Sequence, residues 1–392
     1  RDHLVATRRG RGLSAVDIAV TPRLNALAKD YETAAPLGAG VVFYTGHFIP
    51  FTDKGWRMAA AVTARGREGD VVSAFGERAA RVENWASPYR HPAFLYIGPD
   101  IVRPVADGAA WLYPDPSVPE WIEAETARLA PPLFGWYAAA LGLDLPRAPD
   151  LFLALRGRGA AGQLRYDGDA LPGQAMIALS GEGWAAPANG ARGLFRRALA
   201  HEAAHLWQGL ARPSGGPAPD WIHEGGADAL AVEALAALGL VSPEEARGMS
   251  AAARAECERE LAGRSLDRAA AQGRWRAVYA CGHALTLAAA RAHNHEGSVA
   301  LFWRDYLAAA TAGDRGYDLD LFLAVAAGDG DGETARAIRR FAWTNHARPA
   351  RADRCAGVAR HDRLHAGADQ RRLGAHQRHR LALHVRAHEG AG

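Results

Sequence analysis

Three cysteines in 392 residues, Cys257, Cys281 and Cys355, are too few for a disulfide framework, and none sits in a C-x-x-C pair. That excludes a zinc ribbon and a thioredoxin-like redox site. The given chain has no charge-free apolar run of about eighteen residues, so no membrane-spanning helix is expected in it. Walker, Rossmann and G-x-S-x-G fingerprints are missing in any context that would give them meaning. No fixed-period repeat is present either. The first residue is Arg1 rather than Met, so a truncated N-terminus is expected. An upstream signal would then favour an extracytoplasmic location over a cytoplasmic one.

What remains is an ordinary globular balance, 49% hydrophobic and 23% charged, with enough apolar material for a sizeable core in two or three domains. The net charge of +3 is unevenly spread. Residues 346–392 hold ten Arg against four acids and seven of the 16 His, with no aromatic beyond Trp343. The rest of the chain is therefore mildly acidic, and no nucleic-acid partner is expected for it. The basic tail has no usable periodicity and is expected to be disordered or out of frame; a metal- or RNA-binding tail is the competing compositional reading.

Residues 1–110 read as a β-rich region. Short apolar runs at 15–20, 40–44, 71–75 and 93–97 are separated by Gly, Pro and Asp punctuation. From Ser117 the period changes. Helices are expected from Pro119 to about Leu129 and from Leu133 to Leu141, broken at Pro131-Pro132 and ending near Gly142. Strands follow at Leu151–Leu155 and Ala175–Leu179. Long helical stretches then run over Gly193–Leu210, Glu224–Leu238, Pro243–Leu261 and Trp275–Ala292. Shorter ones close the ordered part, the last at Thr334–Trp343.

The chemistry lies in His201-Glu202-Ala203-Ala204-His205. Two His at i and i+4 share one helix face, so both imidazoles can reach one ion, and zinc suits nitrogen donors of that kind. Glu202 projects toward the fourth position, where a water would sit. After 18 intervening residues comes Glu224, and a His, His, Glu set leaves the open position a catalytic zinc needs. One zinc per chain is expected, held by His201, His205 and Glu224. Pro213, Gly215, Gly216, Pro217 and Pro219 supply the loop between the two ligand helices. Asp228, one turn beyond Glu224, is placed to accept from the second ring nitrogen of His201 or of His205. Among the other candidates, His293 and His295 read as a helix-end pair and His283 as a packed side chain. His223 reads as pointing away from the site, and Cys257 and Cys281 as small buried apolar residues.

With Trp221-x-x-Glu224-Gly225-x-Ala227, this pattern resembles the gluzincin metallopeptidases, in particular the aminopeptidase-N-like (peptidase MA-like) branch. The resemblance covers about residues 145–310. It implies an α+β fold, an N-terminal β-rich region at 1–110 followed by a thermolysin-like, mostly helical catalytic domain at 111–345. It also implies that Tyr279, in Tyr279-Ala280-Cys281-Gly282, hydrogen-bonds the tetrahedral oxyanion, and that Asp228 lies behind a ligand. The function expected is zinc-dependent hydrolysis of a peptide or protein substrate, with Glu202 as general base. The competing reading is a peptidase-like fold kept as a binding or scaffolding module.

There are departures from that pattern. Cys281 replaces the usual Lys of the Tyr motif, and Gly226 a usual aromatic. Aminopeptidases of the branch carry Gly-Ala-Met-Glu-Asn on the strand lining the cleft, its Glu holding the free amine. The corresponding strand here is expected at Gly173–Leu179, where Ile177 stands in place of that Glu. Aminopeptidase specificity is therefore not expected.

Overall fold

A computed structural model describes residues 16–20, 34–48, 60–89, 92–343 apart from 158, 212–217, 263, 295, 313–315, 317 and 329–331, and 381–387. Strands β1 (Val16–Val20), β2 (Ala34–Leu37), β3 (Gly40–Tyr44), β4 (Ala60–Arg65), β5 (Val71–Ala74), β6 (Glu77–Ala79), β7 (Arg81–Trp85), β8 (Phe94–Gly98), β9 (Arg103–Pro104) and β10 (Trp111–Pro114) precede α1 (Glu120–Leu141). Then come β11 (Asp150–Leu155), β12 (Arg165–Leu171) and β13 (Gln174–Ser180). Helices α2 (Asn189–Gln208), α3 (Asp220–Ala237), α4 (Pro243–Leu261), α5 (Trp275–His293), α6 (Val299–Ala312), α7 (Leu319–Ala327) and α8 (Glu333–Trp343) follow, and β14 (Leu381–Ala387) is last. The architecture is α+β, with a β-rich N-terminal region followed by a mostly helical domain.

The apolar runs of the first region form β3, β5 and β8, the middle of an antiparallel sheet ordered β2-β3-β8-β5-β6. A second sheet is ordered β1-β14-β4-β7, so a piece of the basic tail pairs with the N-terminal region. Residues 344–380 and 388–392 of the tail, and the loop residues Pro213, Gly215, Gly216 and Pro217, lie outside the described residues.

The third sheet positions the site. Its order is β12-β13-β11-β10-β9, with β10, β11 and β13 parallel and β12 antiparallel at one edge. One face packs on the helices through Leu151, Leu153, Ala175, Ile177 and Leu179. The other packs on the N-terminal strands through Phe152, Met176 and Ala178 with Tyr44, Phe94 and Tyr96. Buried polar groups join the two regions. Gln174 accepts from Phe94 N at 2.7 Å and donates to Asp150 Oδ2 at 2.9 Å, and Phe75 N donates to the same oxygen at 2.6 Å.

Two expectations are corrected. Helix α1 runs through Pro131-Pro132 instead of breaking there. An interior proline costs about 3 kcal/mol. However, the buried stripe of Ile122, Thr126, Leu129, Leu133, Tyr137 and Leu141 continues on both sides of the pair. Burying one large apolar side chain is worth about 1.5–3 kcal/mol, so the stripe outweighs the break. The helix ends as expected, at Gly142 in the left-handed region with φ 66°. Second, Cys257 and Cys281 are buried but joined in a disulfide that ties α4 to α5. Residues 24 apart on different helices carry no local signal of pairing.

Candidate metal centre

Helix α2 is buried nearly all round from Ala198 to Trp207, between the third sheet and α3. Its many Ala residues let neighbouring elements come close, which puts His201, Glu202 and His205 in the interior. Helix α3 crosses beside it and presents Glu224. His201 Nε2 lies 3.1 Å from His205 Nε2, and Glu224 Oε2 lies 3.4 Å from the first and 3.5 Å from the second. Donors bound at roughly 2.0–2.1 Å around a tetrahedral ion stand about 3.3–3.4 Å from one another. The triangle therefore fits zinc in both donor chemistry and edge length. Among the described residues it is the one group of three His, Cys, Asp or Glu close enough to hold an ion.

The surroundings are charged and largely buried. Asp228 Oδ1 lies 3.4 Å from His201 Nδ1, and its other oxygen accepts from Arg197 at 2.6 Å. Of the two alternatives left open for Asp228, the partner is thus His201. Nδ1 of His205 instead meets Gln208 Oε1 at 2.6 Å. Burial works against the Asp228 and Glu224 carboxylates, yet the His rings facing both, with Arg197 also beside Asp228, hold both well below the usual range. Burial likewise opposes the charged form of His201, but Asp228 and Glu224 outweigh it and push its pKa up to about 10 in the metal-free protein. His205 moves the other way, because burial dominates there.

Helix α5 brings Tyr279 to the site, its ring centroid 5.6 Å from that of His201. The crossing of α3 and α5 depends on two glycines. A Cβ on Gly282 would sit 1.9 Å from Trp221 O, and one on Gly225 would sit 2.3 Å from Gly282 Cα. Burial, with Glu224 and Glu202 nearby, raises the Tyr279 phenol well above its ordinary range. His283, one turn along α5, is buried as expected, 3.7 Å from Asp228 and 3.2 Å from Ser250 Oγ. His293 bonds Val325 O and Asp305 at the end of α5, away from the donors, and His295 lies outside the described residues. His223 does not point away from the site; its ring packs 4.2 Å from that of His205. It sits on the first turn of α3, beside the C-terminal turn of α2.

The cleft-side strand is β12, not the expected Gly173–Leu179. Ile177 belongs to β13 and is buried in the core beneath. In register, Gly168 pairs with Ile177, and Tyr166 and Ala170 share that face. A Cβ on Gly168 would overlap the Glu202 carboxylate, so only glycine lets the backbone lie against it. Tyr166, missed in the sequence, faces Asp228, Glu202 and Arg197; burial and the two carboxylates push its pKa up to about 12. Asp167 and Asp169 pair with Ala178 and Met176 and so point to the opposite face. The face toward the donors carries no carboxylate of its own.

No protein-family model matches the sequence, and no curated protein is similar to it at a significant level. Similarity to solved structures is clear. An aminopeptidase N family protein from Idiomarina loihiensis superposes with a TM-score of 0.58 at 12% identity, over 79% of this chain and 60% of that one. An M1 zinc metallopeptidase from Deinococcus radiodurans, solved as a mutant bound to a Tyr-Ser-Ala substrate, superposes with a TM-score of 0.50 at 17% identity, over 84% of this chain and 75% of that one. The chain has an M1 gluzincin-like fold. At these identities the likeness is one of fold, and the chain spans 60% of the length of the Idiomarina protein.

Proposed function

We propose that this chain is a zinc-dependent peptidase, with His201, His205 and Glu224 as ligands of one zinc ion, Glu202 as general base and Tyr279 as oxyanion donor. The observation that carries the reading is the donor triangle with edges of 3.1, 3.4 and 3.5 Å. A zinc ion held there would supply a water of pKa about 7 and polarise the scissile carbonyl. Glu202 takes the proton of the attacking water and later delivers it to the leaving amine. Its carboxylate is buried against the bare backbone of Gly168, which keeps bulk water from competing for that proton. The raised pKa of Tyr279 keeps its hydroxyl protonated at neutral pH, so it is a donor when the oxyanion forms. Asp228, kept ionised against its burial by the His201 and His283 rings and by Arg197, orients His201.

The substrate class is an extended peptide or protein segment lying along the edge strand β12. With no carboxylate on the donor-facing side of that strand, a free α-amine gains nothing there, and internal or blocked peptides are accepted. The Cys257–Cys281 bridge suits an oxidising compartment, which supports an extracytoplasmic location.

Elemental analysis and three substitutions test the reading. The protein should hold one zinc per chain, lost in His201→Ala and His205→Ala. Glu202→Gln should keep the zinc and lose activity on casein. Absence of stoichiometric zinc, or undiminished casein cleavage by Glu202→Gln, overturns it.

A further inference from the structure

We infer that Gln208 is a positioning residue that selects the tautomer of His205 and so decides which ring nitrogen can hold a metal ion. This rests on the reading of His205 as a zinc ligand. Gln208 is the last residue of α2 and is fully buried. Its amide makes two contacts. Nε2 donates to the backbone carbonyl of His223 at 3.2 Å, and Oε1 lies 2.6 Å from His205 Nδ1.

The two ends of a carboxamide have nearly the same shape, so their partners decide its orientation. A backbone carbonyl can only accept, so the NH2 end must face His223. The reverse orientation would set oxygen against oxygen in a buried place and leave both unpaired. Oε1, itself only an acceptor, is thereby fixed toward His205. Nδ1 of that ring must carry the hydrogen, and in a neutral imidazole the lone pair is then on Nε2. Nε2 is the atom 3.1 Å from His201 Nε2 and 3.5 Å from Glu224 Oε2. Through one side chain, a carbonyl on α3 determines which nitrogen on α2 is free to ligate.

The same contact carries position. His223 directly precedes Glu224, so the Gln208 amide ties the backbone beside the third donor to the ring of the second. The His223 ring, 4.2 Å away, limits rotation of the His205 ring. The two His therefore have different partners, a carboxylate for His201 and a neutral amide for His205. Glu202, Glu224 and Asp228 already crowd the site, and an amide fixes the second ring without adding a further negative charge.

Metal-free protein labelled with 15N at histidine tests this, with the His205 signals assigned from their loss in His205→Gln. Wild type should show Nδ1 protonated and Nε2 bare. Gln208→Glu, still an acceptor, should keep that tautomer. Gln208→Met, close in shape but with no amide, should lose it. In competition with a chelator, Gln208→Met should also bind zinc about 10- to 100-fold more weakly. The inference is overturned by a hydrogen on Nε2 of wild-type His205, or by Gln208→Met with an unchanged tautomer and zinc affinity within about twofold. Should Gln208→Met fail to fold, a neutral wild-type His205 ring with its hydrogen on Nε2 is itself decisive. Failure of the underlying reading looks different: wild type would bind no zinc while showing the same tautomer.

Discussion

Gly282→Ala perturbs the crossing that brings Tyr279 to the donor triangle. The added methyl would sit 1.9 Å from Trp221 O and 2.8 Å from Gly225 Cα. Carbon–oxygen contacts of this kind settle near 3.3 Å, so α5 must retreat from α3 by about 1.4 Å. Both obstacles are backbone, and no side chain can swing aside. Overpacking typically costs about 1–3 kcal/mol, and because a whole helix must move, about 2 kcal/mol is a fair lower figure. For a chain region of this size that is a fall of roughly 4–8 °C in Tm. Tyr279 stands one turn before Gly282 and moves with the helix. A displacement near 1 Å at a reacting group costs on the order of a hundredfold in turnover. Zinc content should hold, because the three donors ride on α2 and α3. Thermal unfolding, turnover on a quenched peptide and elemental analysis read the three effects separately. Gly248→Ala, on α4 with open space around its Cβ, is the control and should be neutral or stabilising. A Gly282→Ala protein with Tm within about 1 °C and kcat within about twofold of wild type would refute the argument.

The remaining expectations concern the site's support, its selectivity and the join between regions. Asp228→Asn should lower zinc affinity or activity by roughly 10- to 100-fold without unfolding the protein; a change under about twofold would return Asp228 to a purely structural role. An N-acetylated peptide should be cut about as well as its free-amine parent, and a strong preference for the free amine would show that another acid, such as Glu182, reaches the substrate. Asp150 is buried where the third sheet meets the N-terminal strands, and burial pushes its pKa up to about 7 from an ordinary 3.8. The folded state then binds the extra proton between those values, so stability falls as pH rises from about 4 through 7, by an amount on the order of 4 kcal/mol. Unfolding free energies of wild type and Asp150→Asn from pH 5 to 9 should show a slope in the first and a flatter line in the second; equal slopes would assign the dependence elsewhere.

Features that depend on short-range spacing were legible in the sequence. His201 and His205 share a helix face by periodicity alone. Helix α4 starts at Pro243 as expected, and the structure shows both arms of a capping box between Ser242 and Glu245 in front of it. What depends on neighbours far along the chain was not. Strand β12 reads Arg-Tyr-Asp-Gly-Asp-Ala-Leu, a poor strand by composition, because an edge strand needs little apolar cover and this one needs a glycine against Glu202. Missing it moved the cleft lining one strand inward, onto Ile177. The expectation about the free amine then rests on different residues, since Gly168, not Ile177, lies against Glu202. Gln208 was visible as a polar residue three positions after a ligand. Its role depends on the His223 carbonyl, which only the packing of α2 on α3 supplies.

Gly226 shows why departures from a motif have to be read in three dimensions. In the sequence it stands where the resembling enzymes have an aromatic, which reads as a lost packing group beside a ligand. In the fold, a Cβ at Gly226 would lie 2.2 Å from the Trp303 ring, and Trp303 is fully buried on α6. The indole delivered by α6 occupies the volume next to α3, so a larger residue at 226 has no room and the missing aromatic leaves no hole. The same holds at the α3–α5 crossing, where a side chain on Gly225 would meet the Gly282 backbone and one on Gly282 would meet Trp221 O and Gly225 Cα. Glycine next to the acidic donor and glycine three residues after Tyr279 are therefore one requirement seen twice, that two helices approach at backbone distance. That approach brings the Tyr279 phenol to the carboxylate of Glu224.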